Sequence, residues 1–140
     1  MSKTPELSFE FFPPRTEKGV ATLNRVHAEL ARFEPTFFSV TFGAGGSTQE
    51  GTYDAVKHMI DAGSDAAPHI SCVGSSKPAI KKMVEGYLAL GVKRLVVLRG
   101  DLPSGMVERG DFAYANELVS FIRAESVSYT HLTLPTIVRV

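Results

Sequence analysis

Phe37-Phe38-Ser39-Val40-Thr41-Phe42 runs into Gly43-Ala44-Gly45-Gly46 and then into Ser47-Thr48-Gln49-Glu50. The first six residues are rich in aromatic and β-branched side chains, which predicts a strand. The glycines predict a loop. Ser47 and Glu50 stand at capping-box spacing, where hydroxyl and carboxylate satisfy the first free N–H groups of a helix. Tyr53, Val56 and Ile60 continue that helix, and Gly63 stops it. Strand, loop and helix together make one βα unit.

The same unit recurs on both sides. Leu7–Phe12 predicts a strand ended by Pro13-Pro14, and Val20, Leu23, Val26, Leu30 and Phe33 then recur at helical spacing as far as Pro35. Downstream, His69-Ile70-Ser71-Cys72-Val73 predicts a third strand. A third helix has Pro78 near its start, carries Ile80, Met83, Val84, Tyr87 and Leu88, and closes at Gly91. Arg94-Leu95-Val96-Val97-Leu98 is a fourth strand whose continuous apolar run suits burial on both faces. A loop to about Gly110 leads into a fourth helix with Ala115, Leu118, Phe121 and Ile122. Strands joined through helices form parallel α/β folds, either an open doubly wound sheet or an eight-stranded barrel. Four units are present, so a barrel would be represented by its first half, since a whole one takes about 250 residues.

Composition narrows the function classes. One hundred and forty residues suit one domain or part of a larger one. Lys+Arg and Asp+Glu are equal at 15 each, which gives no electrostatic reason to expect nucleic acid or an anionic membrane as partner. No apolar run approaches the roughly 20 residues that cross a bilayer. Met1–Glu6 carries no apolar signal region, so a cytoplasmic protein is expected. Cys72 is the only cysteine, which excludes an intrachain disulfide and reads as an inert core thiol. The four histidines are scattered, and no Cys/His spacing suggests a metal site.

In both parallel architectures the working groups gather at the C-terminal ends of the strands. Those ends carry Glu10, Thr41 with Gly43-Ala44, the segment around His69, and Arg99-Gly100-Asp101. Glu10 stands inside the aromatic run Phe9-Glu10-Phe11-Phe12. A carboxyl buried among rings is costly to ionise and can serve as a general acid; the alternative is a strand-end Glu that points to solvent. Gly43–Thr48 could present backbone N–H groups to a phosphate, although it is neither a Walker loop nor a G-x-G-x-x-G fingerprint. The alternative there is a turn followed by an ordinary N-cap. His69 reads either as a ligand contact or as a satisfied structural histidine. Arg99-Gly100-Asp101 reads either as an anion-and-dipole site or as a self-satisfied ion pair.

Four segments carry a resemblance: Phe9-Glu10-Phe11-Phe12-Pro13-Pro14, Ser39-Val40-Thr41-Phe42-Gly43-Ala44-Gly45-Gly46-Ser47-Thr48, Pro68-His69-Ile70-Ser71-Cys72 and Leu98-Arg99-Gly100-Asp101-Leu102-Pro103. In this order and spacing they resemble the methylenetetrahydrofolate reductase family, from about Leu7 to Glu125. The resemblance implies an α/β fold of the TIM (β/α)8 barrel type, truncated to roughly its first four units. It implies FAD as cofactor, NADH or NADPH as reductant and 5,10-methylenetetrahydrofolate as substrate, reduced to 5-methyltetrahydrofolate in a ping-pong reaction. Glu10 resembles the acid that assists opening of the methylene bridge at folate N10. Asp101 resembles the carboxylate that tunes the flavin and favours a cationic iminium. Thr41, Phe42, Ala44, His69, Arg99, Gly100 and Asp101 match flavin-contact positions, and Tyr114 and Ala115 resemble a further FAD contact. With Glu10 and Asp101, Thr41 also matches a substrate-binding position, the one that meets the nicotinamide. A homo-oligomeric full-length parent in one-carbon metabolism and methionine biosynthesis is implied.

The resemblance stops after Glu125. Val127–Thr136 is similar to the translation of a transposase sequencing adapter, so residues 1–126 are expected to be the native half barrel and 127–140 a non-native tail. A divergent fifth strand is the alternative. Two rival functions stay open: a phosphate-binding barrel enzyme of another class, and a non-catalytic interaction fragment. The half barrel by itself is expected to be inactive, since it lacks the later strands.

Overall fold

The computed structural model describes residues 6–42, 47–71, 76–98 and 115–125, with side chains over 6–42, 51–71, 76–98 and 116–124. Strands and helices alternate: β1 (Ser8–Phe11), α1 (Glu17–Ala31), β2 (Phe37–Val40), α2 (Ser47–Asp61), β3 (Ala66–Ser71), α3 (Lys77–Leu90), β4 (Val96–Leu98) and α4 (Ala115–Glu125). Every strand pair is parallel, and the strand order is β1-β2-β3-β4. This is the α/β architecture of four βα units that the sequence predicts. The chain divides into two compact units, 1–68 and 69–140.

In the first unit β1 pairs with β2 from Ser8 opposite Phe37 to Phe11 opposite Val40, and β2 pairs with Ala66, Ala67 and Pro68 of β3. Phe38 is its packing centre. It is 1% exposed. Its ring meets Phe9 at 6.0 Å, Phe11 at 5.8 Å and, edge-on, the imidazole of His27 from α1 at 4.6 Å. α1 begins at its N-cap Thr16, whose Oγ1 accepts from the Gly19 N–H. It buries Leu23 and His27, not the whole expected stripe; Val20 and Phe33 are exposed. α2 buries Thr52, Ala55, Val56 and Met59 and leaves Tyr53 outward, so its inner face lies one residue away from the predicted one. A threonine and an alanine carry part of that face, which is why apolar periodicity misplaced it.

In the second unit His69, Ile70 and Ser71 of β3 pair with Val96, Val97 and Leu98 of β4. α3 starts at its N-cap Ser76, buries Ile80, Val84 and Tyr87, and ends at Gly91. Gly91 has φ +90, and Gly63 after α2 has φ +91. Both are the left-handed stops expected at those positions. α4 buries Leu118 and Ile122. β3 begins three residues earlier than predicted, with Pro68 inside it. Pro68 is the last residue of β3 paired with β2, opposite Val40.

His27 is 3% exposed; its Nε2 lies 2.9 Å from Ser64 Oγ, and its ring is 6.0 Å from that of His58 on α2. Desolvation, and then the neighbouring His58 charge, hold the His27 imidazole below its ordinary 6.5. The unfolded chain therefore takes up this proton more readily than the folded one. The resulting stability is full above about 6.5 and is lost as pH falls below it.

Two outcomes follow. Phe38→Ala should lower unfolding stability by about 3–5 kcal/mol in urea titrations, whereas Phe12→Ala, at a site 77% exposed, should change it by under about 0.5 kcal/mol. The urea midpoint should fall between about pH 7.5 and about pH 5.5, and His27→Gln should flatten that slope. An unchanged slope in H27Q would remove His27 as the titrating group.

Candidate functional site

Successive residues of a strand point to opposite faces. In β1 this places Phe9 and Phe11 on the side of Phe38 and α1, half-buried. Ser8 and Glu10 take the other face, and both are exposed. The expectation that Glu10 is held among the rings of its sequence neighbours is thereby corrected. Adjacency in a strand separates side chains instead of joining them. Glu10 stands in register with Ser39, which is 6% exposed. The face opposite the helices thus carries Ser8 and Glu10 from β1, and Phe37 and Ser39 from β2.

The ends of β1 and β2 are tied together beyond their ladder. The Thr41 N–H donates to the Phe11 carbonyl at 2.9 Å. The Thr41 carbonyl accepts from Thr52 Oγ1 of α2, also at 2.9 Å. Thr41 and Phe42 are half-buried there. Gly51 of α2 lies against the turn that follows β1: a Cβ on it would meet Pro13 Cβ and the Pro14 carbonyl oxygen at 3.3 Å. Pro13-Pro14, read from sequence only as a strand stop, is therefore also a docking surface for α2.

In the second unit His69 is 6% exposed and Ser71 7% exposed, and by alternation they share one face of β3. His69 faces Val96 in register, and Ser71 faces Leu98. Ala115 opens α4. Ala44, Arg99, Gly100, Asp101 and Tyr114 lie outside the described residues, as does the tail 127–140. Among the described residues no three His, Cys, Asp or Glu side chains are placed to hold a metal ion, and no helix is long and apolar enough to cross a membrane.

Sequence reading missed Thr52 and Gly51. The available signal was their place on α2: Thr52 falls three and four residues before Ala55 and Val56, on the buried face. A mid-helix threonine draws no attention when only apolar periodicity is counted.

Comparison with known proteins identifies the family. A profile of the methylenetetrahydrofolate reductase family matches residues 1–135, which takes in much of the tail. The 5,10-methylenetetrahydrofolate reductase of Escherichia coli K12 is 36% identical over 118 residues, covering 84% of this chain and 39% of that protein. Methylenetetrahydrofolate reductase (NADH) 1 of Arabidopsis thaliana is 35% identical over 132 residues, covering 91% of this chain and 22% of that protein. The 5,10-methylenetetrahydrofolate reductase of Buchnera aphidicola from Acyrthosiphon pisum is 39% identical over 101 residues, 69% of this chain and 33% of that one. The chain spans about two fifths of the length of the Escherichia coli relative. With four parallel βα units and a family match over nearly its whole length, the chain belongs to the methylenetetrahydrofolate reductase family.

Proposed function

We propose that the longer protein to which this chain corresponds is a cytoplasmic, homo-oligomeric (β/α)8-barrel enzyme. It reduces 5,10-methylenetetrahydrofolate to 5-methyltetrahydrofolate with FAD and NADH or NADPH, in a ping-pong reaction of one-carbon metabolism that supplies methionine biosynthesis. The names of the relatives support the reductase reading, and the plant relative's name supports NADH. The observation that carries it is the emergence of Glu10, beside the tied-down Thr41, on the face opposite the helices. In a closed barrel that face lines the interior, and its C-terminal rim bears the active site.

The groups present fit a flavin. Thr41 and Phe42 offer a hydroxyl and a ring from a half-buried strand end of the first unit. A flat, polar-edged ring system needs such partners. When bound, the flavin would supply the hydride chemistry. The chain's own task is position and protons. Glu10 delivers a proton to folate N10 as the methylene bridge opens. Asp101 provides the negative charge that favours the cationic iminium on the folate. Because Phe9 and Phe11 turn away from Glu10, the dry surroundings that keep an acid protonated must come from bound folate and the rest of the rim.

Glu10→Gln in the full-length enzyme should lower turnover by about 10²–10⁴-fold while the flavin spectrum is kept; turnover within about twofold of the parent would defeat the reading and favour the non-catalytic alternative. The 140-residue chain alone should be colourless and self-associating, because the first half of a barrel leaves an unpaired edge and an incomplete rim. A yellow, active monomer would overturn this. The tail reading rests on the codons of Val127–Thr136: an adapter-like reading supports it, and unrelated codons return the segment to the native chain.

A further inference from the structure

A threonine within a helix ordinarily points to solvent or donates to the carbonyl four residues back on its own helix. Thr52 also reaches off its helix. It is 0% exposed, and its hydroxyl leaves α2 to donate to the carbonyl of Thr41 at 2.9 Å. That carbonyl lies one residue past the end of β2, on a half-buried residue, and a backbone acceptor drawn away from water needs a donor. The same residue's N–H donates to Phe11, the neighbour of Glu10. Thr52, Thr41 and Phe11 thus form one run of hydrogen bonds from the second helix to the residue beside the carboxylate.

The chain just beyond Phe11 is held by the same helix. Pro13-Pro14 seats against Gly51, where an added Cβ would stand 3.3 Å from both Pro13 Cβ and the Pro14 oxygen. We propose that Thr52 is a positioning residue for Glu10 and Thr41, and that Gly51 is kept without a side chain so that the Pro13-Pro14 turn can close against α2. This rests on the reductase reading above, and it deepens it. The first turns of α2 act as a clamp that sets where the proposed acid and the proposed nicotinamide-contact residue leave their strands. Catalysis depends steeply on such placement, since a displacement of about 1 Å can cost about a hundredfold in rate.

The test uses the full-length reductase with T52V, T52S and G51A, and with E10Q as control. T52V keeps the shape of the side chain and removes the donor. It should lower kcat about tenfold, with KM for the folate within about twofold and flavin content unchanged. T52S, which restores the hydroxyl, should return kcat to within about twofold of the parent. G51A, which pushes the proline turn by a few tenths of an ångström, should lower kcat with the same pattern. Equal impairment of T52V and T52S, an unchanged T52V kcat, or a loss matched by lost flavin would reduce Thr52 to a structural role and overturn the proposal. If T52V does not fold, an unchanged kcat in G51A overturns it. An active E10Q would sink the acid reading itself, whereas an impaired E10Q beside unaffected T52V and G51A would sink only the clamp.

Discussion

The two-residue alternation of a parallel strand is the constraint on which the first unit depends. It sends Phe9, Phe11 and Phe38 toward α1 and Ser8, Glu10 and Ser39 away from it. The apolar side is where burial stabilises the unit: Phe38, with Val40 beyond it on the same strand face, is almost wholly removed from water. The other side is free to carry polar groups because the helices do not require it for packing. One geometric rule therefore provides both a core and a surface for chemistry.

His27 shows how closely the two demands meet. A buried imidazole against an aromatic ring needs a partner, and Ser64 in the turn after α2 provides one. The cluster lies on the helix side, away from Glu10, so it belongs to folding and not to the proposed chemistry. Its consequence is an acid-sensitive packing centre, since protonation of His27 would place a charge where burial disfavours it.

At the strand ends, regular pairing runs out and side chains take over. Thr41 exchanges the ladder for one backbone and one hydroxyl partner. Pro13-Pro14, which has no N–H to donate, is fixed by shape against Gly51. Placing the candidate acid next to such a fastening is physically reasonable, because a carboxylate on an untied loop would spend its time in too many positions to deliver a proton efficiently.

Much of this was open to reading in the chain itself. Local rules determined the four βα units, the stops at Gly63 and Gly91 and the family-like segments, because turn chemistry and hydrophobic period act over a few residues. Tertiary packing alone decided the rest. It turned the rings of Phe9 and Phe11 away from Glu10, rotated α2 so that Thr52 and not Tyr53 lies inside, and drew Pro68 into a strand. Each of these outcomes depends on what stands opposite a residue in space, and the pattern of neighbours along the chain carries no record of that.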